Sequence, residues 1–221
     1  MRAYYEAYEE RYRAVHEKGL RWSGERPTPI VAEVAARYCR KPGAKLLELG
    51  CGEGRDARAL LARGYDLLAT DAAPEAIAFC RRAMPEHAEC FAVLDCLRDA
   101  HEARYDFIFA VAVVHMLVLD EDRRGFYRFF TEHLAPEGVG LICTMGDGET
   151  EMRSDVSEAF ELKEREHPSG KLLVAATSCR MVSFPTFERE LAESGLAIAE
   201  QGITEAMPDF DKLMYAVVRN A

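Results

Sequence analysis

Three glycines at alternate positions offer the clearest sign of chemistry in this 221-residue sequence. The apolar run 46–49 leads into Gly50, Gly52 and Gly54, and a helical pattern begins at Asp56. Because glycine accepts a positive φ and has no Cβ, such a loop turns sharply and lets a ligand lie against bare backbone. The amide groups that open the following helix favour an anionic ligand group. The loop therefore predicts a ligand-binding turn between a buried strand and a helix.

The spacing of this loop disfavours two other glycine-rich motifs. A dinucleotide fingerprint requires a third glycine where Arg55 stands, which argues against an NAD-dependent oxidoreductase. The Walker phosphate loop requires a lysine, and none occurs in this loop. A tight strand-to-helix turn without a ligand remains an alternative at this point.

Acidic residues end the next two predicted strands. The run 65–70 ends at Asp71, about 20 positions past the glycine loop, where a carboxylate binds ribose hydroxyls in nucleotide-type folds. The run 90–94 is followed by Asp95 and Cys96. For Asp95, a ligand contact and a helix N-cap are both open, since aspartate is a favoured cap.

Five segments, in this order, resemble the motifs of class I S-adenosylmethionine-dependent methyltransferases: 48–54, Asp71, Asp95, 105–115 and 134–143. Glu137 departs from the family pattern, which has glycine there. The resemblance implies an α/β, Rossmann-like sheet of seven strands in the order 3-2-1-4-5-7-6, with the last strand antiparallel and helices on both faces. It also implies S-adenosylmethionine as the cofactor. The implied cofactor contacts are Trp22, Glu48, Gly50, Cys51, Gly52, Gly54, Asp71, Ala72, Asp95, Cys96 and Val111.

A local similarity concerns the methyl acceptor. Residues 54–57 (G-R-D-A) and 62–65 (A-R-G-Y) are similar to a stretch of tellurite-resistance and thiopurine methyltransferases. This similarity implies a small-molecule acceptor with a thiol or chalcogen nucleophile. The substrate-binding parts do not obviously match. An O- or N-methyltransferase of a small metabolite and a non-catalytic S-adenosylmethionine-binding module are therefore the alternatives.

His115 and Asp147 are the candidate catalytic residues, because both are expected at the mouth of the predicted cleft. Methyl transfer is a direct displacement that depends mainly on orientation and exclusion of water. A general base is needed only when the acceptor is protonated at the working pH. For His115, fixing the cofactor loop is favoured over acting as the base.

Alternating helical and strand patterns from residue 28 onwards predict a parallel sheet flanked by helices. Residues 1–27 are predicted to form a helical lid with tyrosines spaced four apart, although plain packing of that helix is equally open. Residues 28–221 form the predicted methyltransferase domain, with a substrate-side insertion at 146–182 that contains an extra strand at 171–176. Predicted helices lie near 28–40, 55–63, 75–84, 120–134 and 185–195, and predicted strands near 45–49, 66–70, 89–94, 106–111, 138–144, 197–203 and 212–219.

The composition of the chain argues against several classes of binding partner. A formal charge of −10 argues against nucleic acid, because binding a polyanion requires a basic surface. Seven scattered cysteines are typical of reduced thiols, and six dispersed histidines argue against a metal site. The longest apolar stretch, 107–119, is too short to span a bilayer, and residues 1–6 lack a secretory apolar core. A cytoplasmic enzyme without a membrane partner is expected, and its oligomeric state stays open.

Overall fold

The computed structural model describes residues 2–205 and 212–221, so residue 1 of the predicted lid lies outside it. Within these ranges the helices are α1 Ala7–His16, α2 Pro29–Tyr38, α3 Arg55–Leu61, α4 Pro74–Ala83, α5 Asp120–His133 and α6 Phe184–Glu193. The strands are β1 Lys45–Leu49, β2 Asp66–Asp71, β3 Phe91–Val93, β4 Tyr105–Val111, β5 Leu134–Met145, β6 Met152–Arg153, β7 Leu162–Arg165, β8 Leu172–Ala175, β9 Arg180–Met181, β10 Leu196–Glu205 and β11 Lys212–Asn220.

Seven strands form one sheet in the order β3-β2-β1-β4-β5-β11-β10. Strands β1 to β5 pair in parallel, whereas β11 is antiparallel to both β5 and β10. Counting only the strands of this sheet, the order is 3-2-1-4-5-7-6, and the predicted fold is confirmed. In such sheets ligands bind beyond the carboxyl ends of the strands, where the strand order reverses. Here that point lies between β1 and β4.

The central strands are apolar because helices cover both faces of the sheet. Phe107, Ile108 and Phe109 of β4 are all fully buried, which is typical of a parallel strand between two helical layers. Phe107 and Phe109 pack on one face in a cluster that includes residues of α2 and α3. Ile108 packs on the other face with residues of α5 and α6. Alternate side chains of β4 thus contribute to the hydrophobic cores on the two faces of the sheet.

Helix α1 is an integral part of the fold. Val15 is fully buried and packs against Leu172 and Val174 of β8, the extra strand predicted within the insertion. Strand β8 pairs with β7 in an antiparallel hairpin. The helix therefore packs on β8 of the insertion, and it also contacts α4. Across the residues that the structure describes, no helix has the length and apolar composition that a bilayer crossing requires.

Candidate active site

The glycine loop follows β1, and all three glycines have positive φ: 70° at Gly50, 53° at Gly52 and 76° at Gly54. A Cβ at Gly50 would collide with Val113, and a Cβ at Gly54 would lie 2.7 Å from Met84 Cε. A Cβ at Gly52 would lie 2.8 Å from the Tyr12 hydroxyl oxygen, so packing as well as φ favours glycine at all three positions. Neighbouring side chains therefore pack closely on this loop at the end of β1.

Asp71, the last residue of β2, is oriented by the backbone of this loop. Its Oδ2 accepts the Gly52 N–H at 2.8 Å, and its Oδ1 accepts the Ala73 N–H at 2.8 Å. Burial raises the pKa of Asp71 to about 6, against the lowering effect of these two hydrogen bonds. A carboxylate oxygen can accept more than one hydrogen bond, so acceptor capacity remains for a ligand.

A cavity of about 440 Å³ lies between the strand ends and α1, and we call it the glycine-loop cavity. Asp71 and Asp95 contribute carboxylates to its lining, while Leu94, Val113 and Leu117 contribute apolar surface. Gly50, Ala72 and Cys96, three of the expected cofactor contacts, line it too, and tyrosines Tyr5, Tyr8 and Tyr12 of the N-terminal segment cover it. Pockets of this size and mixed character are typical small-molecule sites.

Asp95 caps a turn and lines the glycine-loop cavity. Its Oδ1 accepts the Leu97 N–H at 3.0 Å and so caps the turn after β3. Its Oδ2 accepts the hydroxyl of Tyr5 at 2.9 Å, and the side chain lines the glycine-loop cavity. Beside it, burial raises the pKa of Cys96, so this thiol stays protonated.

Five expected cofactor contacts near the strand ends lie outside the lining of the glycine-loop cavity: Glu48, Cys51, Gly52, Gly54 and Val111. The side chains of Glu48, Cys51 and Val111 are buried. Burial, reinforced by Asp56, raises the pKa of Glu48 well above its usual range and so favours its neutral form. Val111 packs in the core, and Val113 lines the cavity instead. Between them stands Ala112, whose φ of 58° interrupts the regular strand geometry at the end of β4.

A second cavity, of about 590 Å³, adjoins the first, and we call it the insertion cavity because most of its lining comes from residues 145–179. Trp22 lies here and not in the lining of the glycine-loop cavity, which corrects its expected place. Tyr8 and Met116 line both cavities. Tyr8 and Met116 therefore lie at the boundary between the two cavities. A ligand in one cavity would meet a ligand in the other at this boundary.

The two candidate catalytic residues differ in position. His115 lines the insertion cavity and is only 3% exposed, and burial together with the charges of Arg123 and Arg11 lowers its pKa to about 3. Its imidazole is neutral at neutral pH and a weak proton acceptor. Asp147 is exposed and lines neither cavity. Hydrogen bonds from Thr150 and Glu149 hold its carboxylate in a turn and lower its pKa to about 2.

The segment 114–117, which carries His115 and Met116, is held by a buried arginine that sequence reasoning missed. Arg123 is 1% exposed and donates to the Val114 carbonyl at 2.8 Å and to the Glu190 carboxylate at 2.6 Å. A charged residue on the otherwise apolar face of α5 was the available signal. By donating to Val114 and to Glu190, Arg123 holds the segment 114–117 at the boundary between the cavities.

Glu53, between the second and third glycines, was also missed. It is 1% exposed and accepts hydrogen bonds from His16 at 2.8 Å, from the Trp22 N–H at 2.7 Å and from the Ser23 N–H at 2.8 Å. Burial raises its pKa, but these hydrogen bonds outweigh that effect and leave the pKa below its ordinary value. The N-terminal segment is thereby tied to the glycine loop through one carboxylate.

Known proteins share both this fold and part of this sequence. Residues 47–139 match the family model described as "Methyltransferase domain". Residues 47–139, less than half of the chain, therefore resemble a methyltransferase domain. The matched range runs from β1 into β5 and includes the glycine loop, Asp71 and Asp95. The sheet order is the one that the resemblance to class I S-adenosylmethionine-dependent methyltransferases implied, and the family match agrees with that resemblance.

Solved structures of methyltransferases resemble most of the chain in fold. The CcbJ methyltransferase from Streptomyces caelestis superposes with a TM-score of 0.69 at 18% identity, covering 96% of this chain and 99% of that one. The glycopeptide N-methyltransferase MtfA complexed with S-adenosylmethionine gives 0.65 at 18% identity, covering 90% and 96%. The 1,6-didemethyltoxoflavin-N1-methyltransferase of Burkholderia thailandensis gives 0.65 at 17%, covering 87% and 77%. At these identities the likeness establishes the fold of the domain.

A curated relative shares part of the sequence. Hemagglutinin 1 of Eikenella corrodens is 39% identical over 109 residues, which are 47% of this chain and 35% of that protein. The match thus spans about a third of the relative's length. The similarity is therefore limited to one segment of each protein.

Proposed function

We propose that the domain transfers a methyl group from S-adenosylmethionine to a small-molecule acceptor. The observation that carries this proposal is the meeting of two cavities at Tyr8 and Met116, one of them built on the glycine loop and Asp71. A direct displacement needs two ligands side by side, with the nucleophile aligned on the transferred group. The net charge of −10 favours a small molecule over nucleic acid.

The residues of the glycine-loop cavity fit the cofactor. Asp71 has acceptor capacity left for ribose hydroxyls, and Asp95 offers a carboxylate for the adenine amino group. Leu94, Val113 and Leu117 provide the apolar surface that a planar base requires. When bound, the cofactor supplies a methyl group on a positively charged sulfur. The structural neighbour MtfA, which was solved in complex with S-adenosylmethionine, supports the same assignment by analogy of fold.

The chain's own contribution is binding, orientation and exclusion of water. Helix α1 covers the glycine-loop cavity with Tyr8 and Tyr12, and Tyr5 precedes it, so we propose that residues 1–27 act as a lid. Arg123 holds the segment 114–117 at the boundary with the acceptor. A site closed in this way keeps the two ligands in a reactive arrangement with little water between them.

The acceptor is proposed to be a nucleophile that needs no strong base. His115 has a pKa of about 3, and Asp147 lies outside both cavities, so neither is suited to deprotonating a hydroxyl. A thiolate or chalcogen anion is already deprotonated, which favours the soft-nucleophile assignment. An amine acceptor is the second candidate. It is favoured by the structural neighbours named as N-methyltransferases.

Turnover tests the proposal directly. The protein is incubated with S-adenosylmethionine and a panel of thiols, amines and phenols, and S-adenosylhomocysteine is measured. We expect product with thiols or amines and little with phenols. Cofactor binding without turnover on any acceptor would favour the non-catalytic module, and no cofactor binding would refute both assignments.

A further inference from the structure

Two arginine side chains meet at the insertion cavity without a carboxylate partner. Arg11 Nη2 donates to the Ala176 carbonyl at 2.8 Å, and Arg165 Nη2 donates to the same oxygen at 3.1 Å. Both side chains line the cavity. Among the described residues, neither forms an ion pair, although Glu166 also lines this cavity. Two positive charges are therefore held side by side with no neutralising group.

Arg11 is almost completely buried, yet part of its guanidinium has no acceptor. The side chain is 7% exposed, and its Nε and Nη2 donate to the Ala175 and Ala176 carbonyls and to the Thr177 hydroxyl. Within the described part of the chain, Nη1 makes no hydrogen bond. Burial lowers the pKa of Arg11, and so does the neighbouring charge of Arg165. An anion at Nη1 would relieve both costs.

A purely structural arginine has a different environment in this protein. Arg123 is even less exposed than Arg11, and it is neutralised by the Glu190 carboxylate at 2.6 Å. Arg180 lies 3.5 Å from the other oxygen of that carboxylate. Burying a charge without a partner is costly, which is why such pairs are the rule. Arg11 departs from that rule where it faces a cavity.

Aromatic surface surrounds the arginine pair. The Arg11 guanidinium carbon lies 4.5 Å from the centre of the Trp22 ring and 5.2 Å from that of Tyr8. The rings of Trp22 and His167 are stacked with centres 6.3 Å apart. The adaptable apolar wall of the cavity is completed by methionines Met116, Met145 and Met152. These groups suit a flat organic body beside the charged one.

We infer that the methyl acceptor carries a carboxylate, which Arg11 and Arg165 bind in the insertion cavity while its planar body packs beside Trp22 and the methionines. This inference rests on the proposed function where it makes the ligand a methyl acceptor, but the anion site is supported by the cavity alone. Guanidinium groups match carboxylates in a paired, planar arrangement, which gives orientation as well as affinity. The site would hold the acceptor by its anionic end and direct its other end toward Tyr8 and Met116.

Calorimetric titration of benzoate and benzamide into the protein, with and without S-adenosylhomocysteine, tests the anion site without turnover. We expect benzoate to bind at least about tenfold more tightly than benzamide. Arg165→Gln should remove that preference, and since Arg165 is exposed the variant should fold normally. Arg11→Gln should do the same, with its melting temperature measured beside it. Lys163→Gln is the matched control, because Lys163 lies on the same strand but pairs with Glu158.

Turnover separates the two claims. With thiosalicylate and 2-mercaptobenzamide as acceptors, Arg165→Gln should raise KM about tenfold or more for the carboxylate only, with kcat nearly unchanged. Equal affinity for benzoate and benzamide, or no effect of Arg165→Gln, would overturn the inference. If neutral acceptors were methylated as well as charged ones, the inference would fail while the proposed function stood. If no acceptor were methylated but benzoate bound through the arginines, the anion site would stand and the proposed function would fail.

Discussion

At the scale of single residues, Gly52 shows how tightly the N-terminal helix closes on the loop. Its φ is 53°, and a Cβ there would lie 2.8 Å from the Tyr12 hydroxyl oxygen. Gly52→Val should therefore abolish measurable S-adenosylmethionine binding in calorimetry, because the valine strains the backbone and displaces α1. We expect the variant to remain folded by circular dichroism.

The matched control is Gly64→Val. Gly64 also has a positive φ, of 79°, but nothing lies within 4 Å of the place that a Cβ would occupy. This variant should lose stability from backbone strain, of about 1–2 kcal/mol, and keep cofactor binding. If Gly52→Val titrates like the wild type, the ligand does not lie against this loop.

His115 predicts a pH dependence with a definite sign. Its pKa is about 3 in the folded protein and about 6.5 when unfolded. The unfolded chain therefore binds a proton more readily between these values, so His115 contributes stability above pH 6.5 that is lost as the pH falls toward 3. His115→Gln should flatten the fall in unfolding free energy between about pH 6.5 and pH 4, measured by urea denaturation.

His115 also leads to a prediction about turnover. Since its imidazole is neutral and a weak base, His115→Ala should lower turnover modestly and equally at every pH tested. A general base contributes roughly 100- to 10,000-fold. A loss of that size, together with disappearance of an acidic limb near about pH 6.5, would identify His115 as the base after all.

At the scale of elements, the N-terminal segment around α1 carries the strongest prediction. It contributes Tyr5, Tyr8 and Tyr12 to the glycine-loop cavity and Arg11 to the insertion cavity. A variant lacking residues 1–24 should keep the circular dichroism of the sheet domain, melt at a lower temperature and lose most turnover. Its lower melting temperature follows from exposing the partners of the buried Val15. Full activity of the shortened chain would reduce α1 to a packing element.

Trp22 reports on the same segment. Because it lies in the insertion cavity beside Arg11 and His167, its fluorescence should respond to a carboxylate acceptor. The Trp22 N–H also donates to Glu53 next to the glycine loop, so a smaller response to S-adenosylhomocysteine is expected. Tyr12→Phe, which removes only one hydroxyl, should leave the emission of the unliganded protein unchanged. A Trp22 emission that neither ligand alters would contradict this placement of the two sites.

At the scale of the whole molecule, the sheet and part of the site could be predicted because they depend on local patterns. Apolar runs, their spacing and the acids at their ends located β1 to β5, Gly50, Asp71 and Asp95. That Val113 and not Val111 lines the cavity could not be predicted, since the positive φ of Ala112 leaves no periodic signal.

Contacts between distant parts of the chain likewise could not be predicted from the sequence. Arg11 reaches residues 175–177, and Glu53 binds residues 16, 22 and 23. Such pairings are set by how the insertion and the N-terminal helix pack on the sheet. Sequence periodicity identifies the helices and strands but not which distant residues contact each other. These contacts determine the shape of both cavities.

The central claim is that S-adenosylmethionine binds at the glycine loop with its ribose on Asp71. Calorimetric titration of the cofactor into wild-type protein, Asp71→Ala and Asp66→Ala tests it most directly. Asp66 begins the strand that Asp71 ends and is exposed, so its variant is the matched control. Loss of two hydrogen bonds to a charged group, each worth about 1.5–3 kcal/mol, should weaken binding about 100-fold or more in Asp71→Ala and not in Asp66→Ala. Equal affinity in all three proteins would contradict the account.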